Sequence, residues 1–262
     1  MVTWRRRSLA FGLLILLAAF ALPAALHANH SWGGYHWART ANPFTVKLGG
    51  NVSSAWDSAL VTASSDWNSS DVLNTTVVAG SAKPRNCRPT AGRVEVCSAS
   101  YGSTGWLGVA QIWISGGTHI TQGTVKLNDT YFNTPTYNTP PWRALVTCQE
   151  IGHTFGLDHQ DENFSNANLG TCMDYTNDPS TNQHPNAHDY QELDIIYAHL
   201  DSITTVGSSV LPNKMPPAMN GIDFDTPGQW GKLMKSAHGG KTAIYELDFG
   251  NGHKVVTFVT WV

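Results

Sequence analysis

A short segment that begins at Gln149 places three kinds of side chain at spacings that let them meet. The segment reads QEIGHTFGLDH. Residues four apart lie on one face of a helix, so Gln149 and His153 would project side by side, with Glu150 next to them. Gly156 accepts the backbone angles of a sharp turn, which would return His159 to the same point. Two imidazoles, an amide oxygen and a carboxylate in this arrangement predict a metal site with a general base beside it.

A methionine and a tyrosine follow this segment in the run CMDY, which contains Met173 and Tyr175. Together the two stretches resemble the metzincin zinc endopeptidases, whose frame is H-E-x-x-H-x-x-G-x-x-H followed by a methionine turn. The resemblance is strongest for the matrixin-like secreted members and covers roughly residues 44–200. In that family the methionine lies in a tight turn beneath the metal. The tyrosine that some members carry two residues later can reach the zinc.

The resemblance implies an α+β fold with a mixed twisted sheet, an active-site helix, a methionine turn and a C-terminal helix. The strand expected at 123–128 resembles the family's cleft-edge strand, which binds an extended peptide by strand addition. The implied activity is that of a secreted zinc-dependent endopeptidase. Such an enzyme hydrolyses peptide bonds with a metal-activated water, and Glu150 would be the general base.

Gln149 departs from the frame, which has histidine at this position. A neutral amide oxygen suits harder cations better than it suits zinc. In the interpretation that we favour, Gln149 Oε1 binds zinc together with His153 and His159, helped by Tyr175. We favour a metal-binding site because of Glu150. A carboxylate beside a metal-bound water serves as a general base, whereas without a metal it would have no chemical role.

Two other interpretations of Gln149 are open. Another group takes its place, and the candidates are Asp161, His184 and His188. Cys148 is a poor substitute because it lies on a different part of the helix and is expected to be oxidised. Alternatively the metal is lost, and the chain is a catalytically silent metzincin-like protein that binds extended peptides.

The segments around the site alternate between strand and helix periodicity. The expected strands are 44–48, 73–78, 93–98, 105–115 and 123–128, and the expected helices are 53–69, 140–155 and 187–200. Thr139 before Pro140 is typical of a helix start, and Gly156 suits the end of that helix.

The composition changes after the third expected helix. Residues 29–203 would form the catalytic domain, and residues 204–221, rich in Ser, Pro, Gly and Asn, are predicted to be a linker. Residues 222–262 would form a small C-terminal β extension with a hairpin around Gly250-Asn251-Gly252. We expect this hairpin to dock on the catalytic domain, because an isolated hairpin is marginally stable.

The N-terminus has the features of a secretory signal. Arg5–Arg7 form a basic stretch, Leu9–Leu22 an apolar one, and small residues precede an expected cleavage near Ala28. The apolar run is shorter than the roughly 20 residues of a membrane span. We therefore expect residues 1–28 to be a signal peptide, the mature protein to be extracellular, and no stable membrane anchor.

The chain has four cysteines, and an even number in an exported protein suggests two disulfides with three connectivities. We favour the local pairs, Cys87 with Cys97 and Cys148 with Cys172. The second pair would join the residue before Gln149 to the residue before Met173.

The charge of the chain excludes some partners. A formal net charge of -3 over 262 residues argues against binding to nucleic acid. The hydrophobic share of 41% is enough for a core, and we expect a monomer that takes a protein or peptide substrate in extended conformation. The candidates for an additional calcium site are Asp129, Asp174 and Asp178. The histidines expected to be solvated are His27, His30 and His36.

Overall fold

The structure, a computed structural model, describes residue 1 and residues 30–209, 215–220, 224–237 and 241–262. All but the first residue of the predicted signal peptide lies outside the described residues, and so does part of the predicted linker. No helix among the described residues is long and apolar enough to cross a membrane.

One mixed sheet contains nine strands of the described residues. They are β1 (His36–Trp37), β2 (Phe44–Asn51), β3 (Leu73–Ala79), β4 (Val94–Ala99), β5 (Trp106–Ser115), β6 (His119–Asn128), β7 (Lys232–Ala237), β8 (Thr242–Gly250) and β9 (His253–Trp261). Their order is β3-β2-β4-β6-β5-β9-β8-β7, and β1 pairs with β6. The pairs on the β3 side of β6 are parallel, and those from β6 through β5 to β7 are antiparallel. A mixed sheet with few helices is compatible with the expected α+β class.

Four α-helices of the described part of the chain accompany the sheet. They are α1 (Asp57–Trp67), α2 (Asp129–Phe132), α3 (Pro140–His153) and α4 (Ala187–Ile196). The expected start of α3 is confirmed, because the Thr139 hydroxyl accepts a hydrogen bond from the backbone N–H of Trp142 and Pro140 opens the helix. α1 and α3 contact each other, and α3 also contacts β5, β6 and β9.

Strand β5 is buried on both faces. Because successive side chains point to opposite sides of a strand, Ala110 and Ile112 join the core that contains residues of α1 and α3. Val109 and Trp113 join a second core on the other face. The C-terminal residues that complete this second core are Met219, Phe224, Trp230, Val255 and Val259.

The strand that we expected at the edge of the cleft lies inside the sheet, so this expectation is wrong. β6 contains residues 123–128 and lies between β4 and β5. Its alternating polarity suggests a half-exposed strand, but Lys126 is buried and its ammonium lies 2.5 Å from an Asp225 carboxylate oxygen. Asp225 is about a hundred positions away, so nothing near Lys126 in the sequence signals this partner.

The predicted C-terminal hairpin is present and docks on the sheet. β8 and β9 pair around Asn251, which has a positive φ of 53°. β9 pairs antiparallel with β5 from Trp106 to Ile114. β7 extends the sheet beyond β8 and was not expected from the sequence. Without β9, strand β5 would be an edge of the sheet next to α3. The C-terminal strand β9 therefore covers this edge.

Both expected disulfides are present. The Cα atoms of Cys87 and Cys97 are 5.8 Å apart, and those of Cys148 and Cys172 are 5.9 Å apart. The second bridge ties α3 to the run that contains Met173. The expectation of solvated N-terminal histidines is wrong for two of them, since His30 and His36 are only 4% and 5% exposed. His27 lies outside the described residues.

Candidate metal centre

The C-terminal half of α3 carries Gln149, Glu150 and His153, all buried. The helix ends at His153, and the chain turns at Gly156, where φ is +95°. A Cβ atom on Gly156 would lie 2.1 Å from the backbone oxygen of Tyr35, so only glycine fits this turn. The turn returns His159 to His153, as the sequence predicts.

The two histidines face each other through their Nε2 atoms, which are 3.1 Å apart. His153 Nδ1 lies 2.9 Å from the carbonyl oxygen of Leu157. Since a carbonyl only accepts, Nδ1 carries the proton and the Nε2 lone pair of His153 points at His159. Two nitrogen ligands of a tetrahedral zinc ion with bonds of 2.0–2.1 Å lie about 3.3 Å apart. The pair therefore fits two adjacent positions around one zinc ion.

Asp158 contacts His159 on the Nδ1 side of its ring, and Lys235 pairs with Asp158 in turn. Neither residue was expected to belong to the site from the sequence. Asp158 Oδ1 lies 3.5 Å from His159 Nδ1, and Asp158 Oδ2 lies 2.7 Å from Lys235 Nζ. Burial alone would raise the pKa of Asp158, but its contacts with His159 and Lys235 hold that pKa below its usual range. Lys235 also pairs with Glu162 at 2.5 Å. The group of Asp158, His159 and Glu162 could otherwise bind a cation, but an ammonium already neutralises its carboxylates.

The amide of Gln149 is held on both sides. Its Nε2 donates to the carbonyl oxygen of Cys172 at 2.9 Å, which fixes which way the amide points. Its Oε1 accepts a hydrogen bond from the hydroxyl of Thr260 at 2.9 Å. The oxygen that could serve as a third ligand therefore faces β9 and is engaged by it.

Met173 packs against α3. Its Sδ atom lies 2.7 Å from the position that a Cβ on Gly152 would take, so the absence of a side chain at Gly152 permits the contact. The ring of Tyr175 lies 3.9 Å from the ring of His159, measured between centroids. Burial raises the pKa of Tyr175 well above its ordinary value, so its hydroxyl stays protonated.

Glu150 is fully buried, and neither of its carboxylate oxygens has a hydrogen-bond partner within the described residues. Burial raises the pKa of Glu150 to about 8, although the hydroxyl of Thr260 and the backbone of Ala110 are close enough to offset part of the effect. The side chain packs against β5 at Gly108, where a Cβ would lie 2.5 Å from Glu150 Oε1. A buried polar group without a partner is costly and often marks a functional site.

Strand β9 lies directly over these residues. The ring of Phe258 stacks on the ring of His153, with centroids 4.5 Å apart and planes inclined by 4°. In the pairing with β5, Phe258 stands opposite Ala110. The C-terminus thus occupies the space that an extended peptide paired with β5 would need.

A cavity of about 250 Å³ opens beside Gln149. α3 contributes Trp142, Leu145 and Gln149 to its lining, and the segment after Met173 contributes Tyr175. The remaining lining residues are Leu107, Thr136, Tyr137, Phe164, Asp174, Thr176, Asn177, Lys241, Thr260, Trp261 and Val262. Trp261 and Val262 therefore form part of the wall of this pocket, beside Gln149.

The substitutes considered for Gln149 have partners of their own. His184 Nδ1 lies 2.7 Å from an Asp66 carboxylate oxygen. The ring of His188 stacks on that of His30 at 4.9 Å. Asp161 accepts hydrogen bonds from the backbone N–H groups of the two residues that follow it. None of these contacts is with His153 or His159.

The three aspartates considered for calcium do not come together. Asp129 accepts a hydrogen bond from the indole of Trp56, and Asp174 accepts from the side chain of Asn182. Asp178 accepts from the backbone of Ser180. Among the described residues, no cation-binding group of His, Cys, Asp or Glu includes any of the three. Calcium binding stays a prediction without a site.

No protein-family model matches the chain, and no curated protein matches it. The function proposed below is therefore carried by the chemistry of the site itself.

Proposed function

We propose that this chain is a secreted zinc-dependent endopeptidase of metzincin type, whose cleft is covered by its own C-terminal strand. The observation that carries the proposal is the pair of Nε2 atoms on His153 and His159, 3.1 Å apart and held by the Gly156 turn. The buried carboxylate of Glu150, without a partner in the described residues, lies one helix turn earlier. Neutral imidazoles are common zinc ligands, which agrees with the metal implied by the resemblance.

In this proposal each side chain of the site has a distinct role. His153 and His159 would hold the zinc ion, and Gln149 Oε1 would be the third ligand if Thr260 released it. A bound zinc ion polarises a carbonyl group and lowers the pKa of water. Glu150, whose raised pKa leaves much of it protonated at neutral pH, would in its ionised form take the proton of the attacking water and give it to the nitrogen of the leaving amine. The hydroxyl of Tyr175 donates a hydrogen bond to the developing oxyanion of the substrate.

Substrate binding would use the place that β9 now holds. An extended peptide would add to β5 as an antiparallel strand and gain backbone hydrogen bonds. One of its side chains would enter the cavity beside Gln149, where Trp142 and Leu145 favour an apolar group. The Cys148–Cys172 bridge would keep α3 and the Met173 turn in place during turnover.

A second candidate function is supported by the contact between Thr260 and Gln149. If the C-terminal strand stays in the cleft, the protein is a catalytically silent relative of such enzymes. It would bind extended peptides only through whatever part of the cleft remains accessible.

Digestion of casein or gelatin by the purified mature protein, with and without a chelator, separates the two candidates. We expect cleavage that the chelator abolishes and zinc restores. Glu150→Ala and the isosteric Glu150→Gln should lower the rate by a factor of about 10² to 10⁴, since this is the usual contribution of a general base, and leave the circular dichroism spectrum unchanged. Glu246→Gln, a carboxylate on β8, is the matched control. Equal activity in the Glu150 variants would refute the mechanism.

A further inference from the structure

Three segments that are far apart in the sequence bring four ligand-type side chains to one point. β1 contributes His36, and β6 contributes His119, which stands opposite His36 in the parallel pairing of the two strands. The chain after α4 contributes His199 and Asp201. None of these residues belongs to the site around His153 and His159.

The ligand atoms of His36, His119 and Asp201 all lie within 4.8 Å of one another, and His199 Nε2 lies close to two of them. Asp201 Oδ1 lies 3.2 Å from His119 Nε2, 3.4 Å from His36 Nε2 and 3.8 Å from His199 Nε2. The Nε2 atoms of His36 and His199 are 3.2 Å apart. Four ligands at about 2.0–2.2 Å from a tetrahedral zinc ion would be separated by roughly 3.3–3.6 Å.

A backbone hydrogen bond orients the ring of His36. His36 Nδ1 lies 2.8 Å from the carbonyl oxygen of Gly34, so this nitrogen carries a proton and donates. The other ring nitrogen, Nε2, therefore faces the carboxylate of Asp201 and the ring of His199. A ring held in this way directs Nε2 at the point where a cation would bind.

A second layer of contacts orients the carboxylate. Asp201 Oδ2 accepts hydrogen bonds from the backbone N–H and from Nη1 of Arg39, at 3.1 and 2.9 Å. Arg39 is buried and is held in turn by the backbone oxygen of Tyr197 at 2.8 Å. These contacts leave Oδ1 directed at the three imidazoles. Outer contacts that fix a ligand's orientation in this way are typical of metal sites.

The cluster has a closed side and an open side. The side chains of His36 and Asp201 are 7% and 9% exposed, whereas those of His119 and His199 are 25% and 52% exposed. An ion can therefore enter from solvent past His199. Four protein ligands and no open coordination position are the mark of a structural rather than a catalytic zinc site.

We propose that His36, His119, His199 and Asp201 form a structural zinc site that ties the N-terminal segment to the β5–β6 turn and to the chain after α4. The site binds zinc independently of the His153–His159 pair. Because the three segments meet only in the folded protein, zinc binding at this site stabilises the fold.

Zinc content of the full mature protein, measured by mass spectrometry after dialysis against zinc buffer, tests the proposal. The variant His119→Ala/His199→Ala changes the two more exposed ligands, and His199→Ala alone is the fallback if the double variant does not fold. We expect the wild type to hold one zinc ion more per chain than either variant. His184→Ala, which removes an exposed histidine elsewhere, should hold as much zinc as the wild type. Because the readout is a difference, it does not depend on the proposed catalytic zinc.

Thermal unfolding gives a second readout. Zinc at about a hundred times its Kd should raise the Tm of the wild type by roughly 5–10 °C, and the rise should be smaller in the double variant. Cobalt bound to the wild type should show the visible absorption of a tetrahedral site, and the double variant should lose that part of the signal. Equal zinc content in wild type and variants, or no zinc in any of them, would overturn the proposal.

Discussion

The ring of Phe258 lies flat against the ring of His153, with centroids 4.5 Å apart and planes inclined by 4°. One residue belongs to the last strand of the chain and the other to the histidine pair that we propose as zinc ligands. Two positions further, Thr260 donates to the amide oxygen of Gln149. The end of the chain therefore touches two of the three proposed ligands while it pairs with β5. A cleft covered in this way predicts that changes at the C-terminus control access to the site.

Deletion of residues 260–262 should raise cleavage of an extended fluorogenic peptide by about tenfold. The deletion removes the Thr260–Gln149 hydrogen bond, worth about 1 kcal/mol, and takes Trp261 and Val262 from the wall of the cavity. Loss of the hydrogen bond alone shifts the equilibrium about fivefold toward the open state, and loss of the Trp261 and Val262 contacts adds to this shift.

Thr260→Val is the milder variant, since it keeps the strand and deletes only the hydroxyl, and it should give a smaller increase. Lys254→Met, at the far end of β9, controls for general weakening of the strand. Unchanged activity in the deletion variant would show that β9 does not limit access to the site.

Gln149→His should tighten zinc binding by at least about tenfold, because an imidazole nitrogen is a better zinc ligand than a neutral amide oxygen. Gln149→Ala, which offers no ligand atom, should weaken binding. Both are best measured by chelator competition in the His119→Ala/His199→Ala background, where the other proposed zinc ion is absent. If Gln149→Ala binds zinc as tightly as the parent, Gln149 is not a ligand.

Local signals predicted much of this structure. Thr139 and Pro140 mark the start of α3, and the short separations of the cysteines favour the two disulfides that are present. The return of His159 to His153 follows from a glycine at one position. In each case the deciding residues lie close together in the sequence.

The parts that could not be predicted depend on partners that are distant in the sequence. Lys126 is buried because Asp225 reaches it, and Asp158 is paired because Lys235 reaches it. β9 covers β5 through an antiparallel pairing that no periodicity in either segment specifies. The cluster around Asp201 is of the same kind, since it draws on segments that are neighbours only in the folded sheet.

Gly156→Ala should destabilise the protein by more than about 3 kcal/mol, because the new Cβ would clash with backbone rather than with a movable side chain. The carbonyl oxygen of Tyr35 would be 2.1 Å away. Gly170→Ala is the matched control, since Gly170 also has a positive φ, of 73°, but nothing lies within 4 Å of its added Cβ. It should cost only the backbone strain, about 1–2 kcal/mol. Urea denaturation of both variants measures the difference, and equal losses would refute the clash.

The buried carboxylate of Glu95 should make stability depend on pH. Burial would raise its pKa, but hydrogen bonds from Thr90, Asn51 and Arg93 outweigh this and hold the pKa below its usual value. Arg93 Nε lies 2.7 Å from Oε1, and Asn51 Nδ2 lies 2.7 Å from Oε2. A depressed pKa in the folded state means that the stabilisation is complete above the unfolded pKa of about 4.3. It is lost as the pH falls from there through the folded pKa.

Glu95→Gln should therefore cost about 2–4 kcal/mol of unfolding free energy at pH 7, since it leaves the Arg93 guanidinium without its carboxylate. The difference from wild type should shrink steadily as the pH is lowered below about 4.3, where the wild-type carboxylate also begins to lose its advantage. Urea denaturation at pH 7, 5, 4 and 3 would measure it. Arg93→Met and the double variant complete a double-mutant cycle, which gives the interaction energy between Glu95 and Arg93. Parallel stability curves for Glu95→Gln and the wild type across this range would contradict the assignment.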